Sequence, residues 1–405
     1  MTNHNSSRRA RLLVITPRLP YPLDKGDRVR IYNVCANLSK DFRLTLLSLC
    51  ETERECSMAL PVDGVFESIE RLHLRQWRAR LNCLLALPTN TPLQVAYYRD
   101  RRLARRVAEL APQHDAVLCH LVRTAEYAAD VDKPRFIEMT DAISMSYARM
   151  RLRGTAWSIR KLIFKTDQKR LERLERSIVD RFDNAVLVSD TDRQFLFADT
   201  PERASKVLVC PNGVDTAKLP FQYLTPQRPR IVFIGNMTTI PNMDAVEWFA
   251  RSALPLVREK HKEAILEVVG YIEGTQRTQL SKLPNVTVVG PVGTMASATR
   301  GAAIGICPIR IGAGIQNKLL EYMALGLPSV TTNIGLEGLG AKDGEHVLTA
   351  ETPEQIAKAI CRILDQPELG SRLAHSARKY IESNHQWSEQ ILPLNRAIEA
   401  AISRA

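Results

Sequence analysis

Lys318 and Glu321 lie three residues apart, a spacing that puts a cation and a carboxylate on one helical face. The segment around them reads Pro308-Ile-Arg-Ile-Gly-Ala-Gly-Ile-Gln-Asn-Lys-Leu-Leu-Glu-Tyr-Met-Ala-Leu-Gly-Leu-Pro328. It predicts a strand ending at Pro308, a loop with Gly312 and Gly314, and a helix stopped by Gly326 with Pro328 behind it. Glycines let a backbone approach a ligand, and the free amides at a helix start suit a phosphate. Lys318 would then face phosphate and Glu321 the hydroxyls of a ribose. A glycine-rich loop followed by a surface Lys–Glu pair fits the same residues, so chemistry alone leaves both readings open.

Two other segments are candidates. Val209-Cys-Pro-Asn-Gly-Val-Asp215 carries an Asn-Gly pair, which favours positive φ and a tight turn; by itself it is a turn after a strand. Pro17-Arg-Leu-Pro-Tyr-Pro-Leu-Asp-Lys-Gly-Asp-Arg-Val-Arg30 follows the first apolar run, where α/β folds place ligand loops. Gly26 opening a helix suits a diphosphate or an acceptor phosphate, with Arg28 or Arg30 assisting. A proline-rich connector with solvated charges is the alternative.

The elements that would position these residues alternate. Leu12–Thr16, a helix over Arg28–Leu38 and Leu44–Leu49 open a doubly wound α/β domain. Strands at Ala116–Leu118, Phe136–Met139, Ala185–Ser189 and Val207–Cys210 continue it, with a basic helix over Leu162–Val179 that carries Leu171, Leu174 and Ile178 on one face. The polar, two-proline stretch Tyr223–Arg230 reads as a linker. The alternation restarts with Ile231–Ile234, a helix over Met243–Val257, and strands at Ala264–Val269, Val286–Val289, Ala303–Cys307 and Ser329–Thr332. The helix Gln316–Leu325 and a last helical stretch from Glu354 to Leu364 complete it. The expected division is 10–222, 223–384 and a terminal helix over 385–405 that packs back towards the first domain. A chain of 405 residues suits two domains of about 200 each.

Composition narrows the function classes. No apolar run approaches the ~18 residues of a membrane span, and the polar start Met1–Arg11 is not a signal peptide, so a cytoplasmic protein is expected. Cysteines at 35, 50, 56, 83, 119, 210, 307 and 361 form no Cys-x-x-Cys pair, which predicts free thiols and no metal site. The net charge is +12, and from Ala148 to Arg181 eleven basic residues face four acidic ones. Such a surface attracts nucleic acid, anionic lipid or phosphorylated substrates. Basic–aromatic interleaving and recognised nucleic-acid modules are missing, which argues against nucleic acid.

Together the segments resemble the large retaining glycosyltransferase family of GT-B fold, family 4. They are PNGVD (211–215), FIGNMTTIPNMDAVEWF (233–249), NVTVVGPV (285–292), PIRIGAGIQNKLLEYMALGLPSV (308–330) and IGLEGL (334–339), in the family's order. TPRLPYPLDKGDRVRIYN near the start looks like the sugar transferases of bacterial exopolysaccharide loci. The resemblance implies two Rossmann-like domains facing a cleft and a nucleotide-diphosphate sugar as co-substrate, with no metal. It implies that Glu321 holds the donor ribose, that the amides of Gly314, Ile315 and Gln316 meet the diphosphate, and that Val289 and Gly290 lie by the base. Gly235 and Asn236 would line the phosphate end, and Gly26 the transferred sugar.

Three positions depart from the family. The first glutamate of its Glu-x7-Glu motif falls at Ala313, its lysine is missing near Pro241–Asn242, and its His-Asp pair stands as Thr140-Asp141. Lys318 would supply the missing charge, and Asp141 is the remaining acid–base candidate. His120 also ends a strand, where a histidine is more often structural. The resulting expectation is retaining transfer of a hexose-type sugar to a glycan, lipid-linked, in exopolysaccharide or cell-surface polysaccharide synthesis. The stretch Arg149–Arg181, with Trp77, Arg78 and Arg80 beside Leu81–Leu87, could dock on anionic membrane at the inner face; a solvated helix is the plainer alternative. A nucleotide-sugar epimerase and a non-catalytic partner subunit of an assembly complex are the competing readings.

Overall fold

A computed structural model describes residues 9–23, 26–153 and 159–405. The starting segment Met1–Arg8, Asp24–Lys25 and residues 154–158 of the basic stretch lie outside the described residues. The chain forms two compact units, 1–210 with 390–405, and 211–389.

The first unit is a seven-stranded parallel sheet in the order β3-β2-β1-β4-β5-β6-β7. Its strands are β1 (Arg11–Thr16), β2 (Arg43–Cys50), β3 (Ser68–His73), β4 (Ala116–His120), β5 (Arg135–Thr140), β6 (Asn184–Leu187) and β7 (Val207–Val209). The central strands are apolar almost throughout because helices cover both faces; every residue of β1 after Arg11 is buried. Strand order reverses between β1 and β4, which opens a crevice at their carboxyl ends.

The second unit repeats the plan with six parallel strands, β10-β9-β8-β11-β12-β13. They are β8 (Arg230–Ile234), β9 (Ile265–Val269), β10 (Val286–Gly290), β11 (Ile304–Cys307), β12 (Ser329–Thr331) and β13 (Leu348–Thr349). Here the switch lies between β8 and β11. All eight cysteines are free; Cys56, Cys83 and Cys361 are only partly buried.

Sequence periodicity missed β3, whose SIERLH is half-exposed along its length and not apolar. The helix expected over Met243–Val257 begins earlier, at Ile240, because Pro241 sits in its first turn, where a missing amide costs nothing. A π turn over Phe249–Ala253 then leads into Leu254–Lys260, which again takes its proline, Pro255, at the start.

Candidate active site

In the second unit the residues singled out by sequence converge on the carboxyl ends of β8 and β11. The loop after β11 carries Gly312 at φ 155° and Gly314 at φ 66°, a backbone open chiefly to glycine. The helix Asn317–Leu325 follows and stops at Gly326 in the left-handed conformation (φ 74°, ψ 26°). The amides of Gly314, Ile315 and Gln316 make no hydrogen bond within the described residues. Lys318 Nζ donates to Asn242 Oδ1 (3.0 Å) and Gln316 Oε1 (3.3 Å) and lies 5.1 Å from the centre of the Phe233 ring. Asn242 in turn donates to the carbonyl of Asn236 (2.9 Å), so the loop after β8 and the helix after β11 are tied together.

Glu321, one turn beyond Lys318, accepts no hydrogen bond and forms no ion pair among the described residues. Burial raises its carboxyl to about 7, only partly opposed by the Lys318 charge. The same burial lowers Lys318 from the ordinary ammonium value. Gly235 packs where a Cβ would lie 2.8 Å from Asn242 Nδ2, and at Gly270 a Cβ would come within 2.1 Å of the Gly235 carbonyl oxygen. Gly290, at φ 91°, ends β10 beside the Arg277 guanidinium. The Asn-Gly pair forms no turn and takes no positive φ; instead Asn212 donates to Asn317 Oδ1 (2.6 Å) at the first residue of the helix. Arg310 makes two hydrogen bonds to Asp244 and lies over the Trp248 ring.

In the first unit the switch point is built from charged side chains. Glu138, on β5 and fully buried, accepts from Arg30 Nε (2.7 Å), His120 Nδ1 (2.6 Å), the Thr140 amide (3.0 Å) and Thr140 Oγ1 (3.0 Å). Four donors use the acceptor capacity of one carboxylate. Because a carboxylate only accepts, His120 carries its proton on Nδ1. Burial opposes ionisation of Glu138, yet Arg30 and His120 hold it down at about 2. Leu121 and Thr140, just past β4 and at the end of β5, have φ of 63° and 69°, unusual outside glycine, and Glu138 clamps the second of these turns.

Arg28 and Arg30, expected beside a phosphate or acceptor, are both buried and ion-paired. The helix Gly26–Leu38 buries both side chains, and their guanidiniums engage Glu55 and Glu138. The loop before that helix is held by Arg18, which pairs with Asp27 (3.2 Å) and Glu51 (3.0 Å) and donates to Tyr98 Oη (2.8 Å). Asp141 follows the clamped turn; burial, with Asp192 and Glu138 nearby, raises its carboxyl to about 7. Asp192 accepts from the Ala142 amide (2.9 Å), and Glu175 from the Ser144 hydroxyl; burial lifts Glu175 to about 8.

Residues 228–366 match the family model described as Glycosyl transferases group 1. An uncharacterized 44.6 kDa protein in the cps region of Klebsiella pneumoniae is 21% identical over 400 residues, 93% of this chain and 96% of its own. Sucrose-phosphate synthase from Thermosynechococcus elongatus has the same fold at a TM-score of 0.73 and 14% identity, covering 98% of this chain and 100% of that one. Anabaena HepE, solved in complex with UDP, gives 0.67 at 11% identity, covering 98% and 100%. Residues 228–366 thus carry a group 1 glycosyltransferase domain, and the chain has the GT-B fold.

A glycosyltransferase of this family uses a nucleotide-sugar donor, and its members generally work without metal. No helix among the described residues is long and apolar enough to cross a membrane. Sequence reasoning missed Glu138 in this enzyme altogether. Its one visible signal was a glutamate inside the apolar strand run Phe136–Met139, a position where an unpaired charge would be costly.

Proposed function

We propose that this glycosyltransferase moves a hexose-type sugar, with retention, from a nucleotide-diphosphate sugar to a lipid-linked glycan in the synthesis of exopolysaccharide or cell-surface polysaccharide. One observation carries the donor half: free amides, Lys318 and Glu321 stand within two helical turns at the β8–β11 switch point. The diphosphate would sit on the amides of Gly314, Ile315 and Gln316. Lys318 would offset the charge that grows on the leaving diphosphate, and its bond to Asn242 supports this, since that is where the family's own lysine is missing. Glu321 would take the ribose hydroxyls, a partner its raised carboxyl lacks within the described residues. Val289 and Gly290 would border the base, Gly235 and Asn236 the phosphate end, and Gly26 the sugar.

During transfer the bond from the anomeric carbon to the phosphate oxygen breaks, and a bond to the acceptor oxygen forms on the same face. The acceptor proton leaves with the diphosphate or passes to a nearby base. Asp141, raised to about 7, has an affinity suited to that exchange near neutral pH. The polysaccharide setting is supported by the Klebsiella cps-region relative, whose likeness runs over 93% of this chain.

The test is a thermal-shift screen of the whole protein against UDP, GDP, ADP, TDP and CMP without added metal. A ligand at 100 times its Kd stabilises by about 2.7 kcal/mol, a readable shift. A response to one nucleoside diphosphate is expected and would name the donor class. No response to any of them, from folded protein, would overturn the donor assignment.

A further inference from the structure

The helix Gln76–Ala86 of the first unit is arranged inside out. Its small residues Ala79 and Ala86 are buried, and Cys83 between them donates to the Leu93 carbonyl (3.4 Å), so this face packs on the helix Leu93–Tyr97. Its large residues Trp77, Leu81, Leu84 and Leu85 fall at i, i+4, i+7 and i+8, which is one face of a helix. That face is outward: Trp77, Leu84 and Leu85 are 61%, 63% and 64% exposed, and Leu81 and the following Leu87 are 45% and 48% exposed. A contiguous apolar row of this kind marks a surface that something covers.

The charges beside it indicate what covers it. No acidic residue occurs from 74 to 87, while Arg75, Arg78 and Arg80 are exposed on the same helix. Arg170 donates to the Leu87 carbonyl (2.6 Å) and the Asp167 carboxylate accepts from the Leu93 amide (2.8 Å). The first bond ties the end of the apolar helix, and the second its neighbour Leu93–Tyr97, to the basic helix Ile159–Ile178, which exposes Lys165, Lys169 and Arg173. Asp167 and Glu175 are buried, which leaves the half-buried Glu172 as the acidic residue at the surface of that helix. A leucine row has no use for a soluble glycan or nucleotide, and a neutral protein partner has none for the bordering cations.

We infer that this surface docks on an anionic lipid bilayer, with Trp77 and the leucines entering the headgroup boundary and the cations meeting the headgroups. The inference stands on the first unit alone and does not depend on the donor assignment.

Flotation of the full chain tests it, with vesicles of phosphatidylcholine alone and of phosphatidylcholine mixed with phosphatidylglycerol. Binding to the mixed vesicles, weakened by salt and weak on the neutral ones, is expected. The fluorescence blue shift on binding should disappear in Trp77→Phe. Leu84→Gln with Leu85→Gln should abolish flotation, and Lys169→Glu with Arg173→Glu should weaken it by roughly fivefold or more per charge. All of these side chains are exposed, so each variant should keep its melting temperature and its nucleotide response. Absence of flotation, or equal flotation on both vesicle types, overturns the inference. So does a wild-type dimer that Leu84→Gln with Leu85→Gln turns into a monomer, which would make a second copy the occupant.

Discussion

The two sheets share one plan and use their switch points in opposite ways. At β8–β11 the chain offers backbone: glycines at 312 and 314, free amides, and one lysine and one glutamate on the helix behind them. At β1–β4 and the neighbouring β5 it offers side chains that are already committed to one another, with Glu138 accepting four hydrogen bonds from Arg30, His120 and Thr140. The first arrangement leaves polar groups unsatisfied for a ligand to complete. The second spends its polar groups on holding a strained turn, with Asp141 directly after it. Under the proposed donor assignment, ligand recognition and geometric rigidity fall to different kinds of atoms.

The contrast is broken most severely at Glu138. Glu138→Ala strands a buried arginine and histidine and should cost about 3–5 kcal/mol of stability in chemical denaturation, the usual penalty for halving a buried pair. The wild-type contribution should be intact above about pH 4.5, the ordinary glutamate value, and fade as pH falls towards about 2, because a depressed carboxylate loses its advantage only when protonated. A variant with unchanged stability would show that the network is ornamental.

In the second unit the effect should appear in binding and not in folding. Glu321→Ala or Lys318→Met should each weaken nucleoside diphosphate affinity by about 1–3 kcal/mol in calorimetric titration, with little change in melting temperature. Loss of fold without loss of affinity would reverse the comparison.

Glu175 sharpens it from the other side. Its raised carboxyl means that the folded chain holds a proton the unfolded chain has lost, so stability falls as pH rises from about 4.5 to about 8. Glu175→Gln should therefore stabilise the protein at pH 9 and change little at pH 4 in chemical denaturation. Equal effects at both values would mean that Glu175 ionises freely. The smallest change expected is Arg310→Lys, which loses the paired contact with Asp244 and the stacking on Trp248. This pair is partly exposed, so thermal unfolding should register about 1 kcal/mol or less.

The proposed donor side was legible as a structural unit because its parts are contiguous: strand end, glycine loop, helix, cation, carboxylate and glycine stop follow one another from 308 to 328. The fold was legible for a related reason, since buried parallel strands are short apolar runs whatever surrounds them. The ion pairs of Arg28 and Arg30 were not legible, because a helix start in a ligand loop looks open until the packing around it is known.

By itself, then, the sequence determined the alternation of strands and helices, the glycines that only certain turns accept, and the family. Tertiary structure alone decided the rest. Arg30 meets Glu138 across 108 positions of chain, a pairing that no local period encodes. The helix Gln76–Ala86 turns its alanines inward and its leucines outward, although its apolar periodicity fits either orientation. Local sequence sets which faces are apolar, and only the packing of distant elements selects which face is covered and which charges are paired.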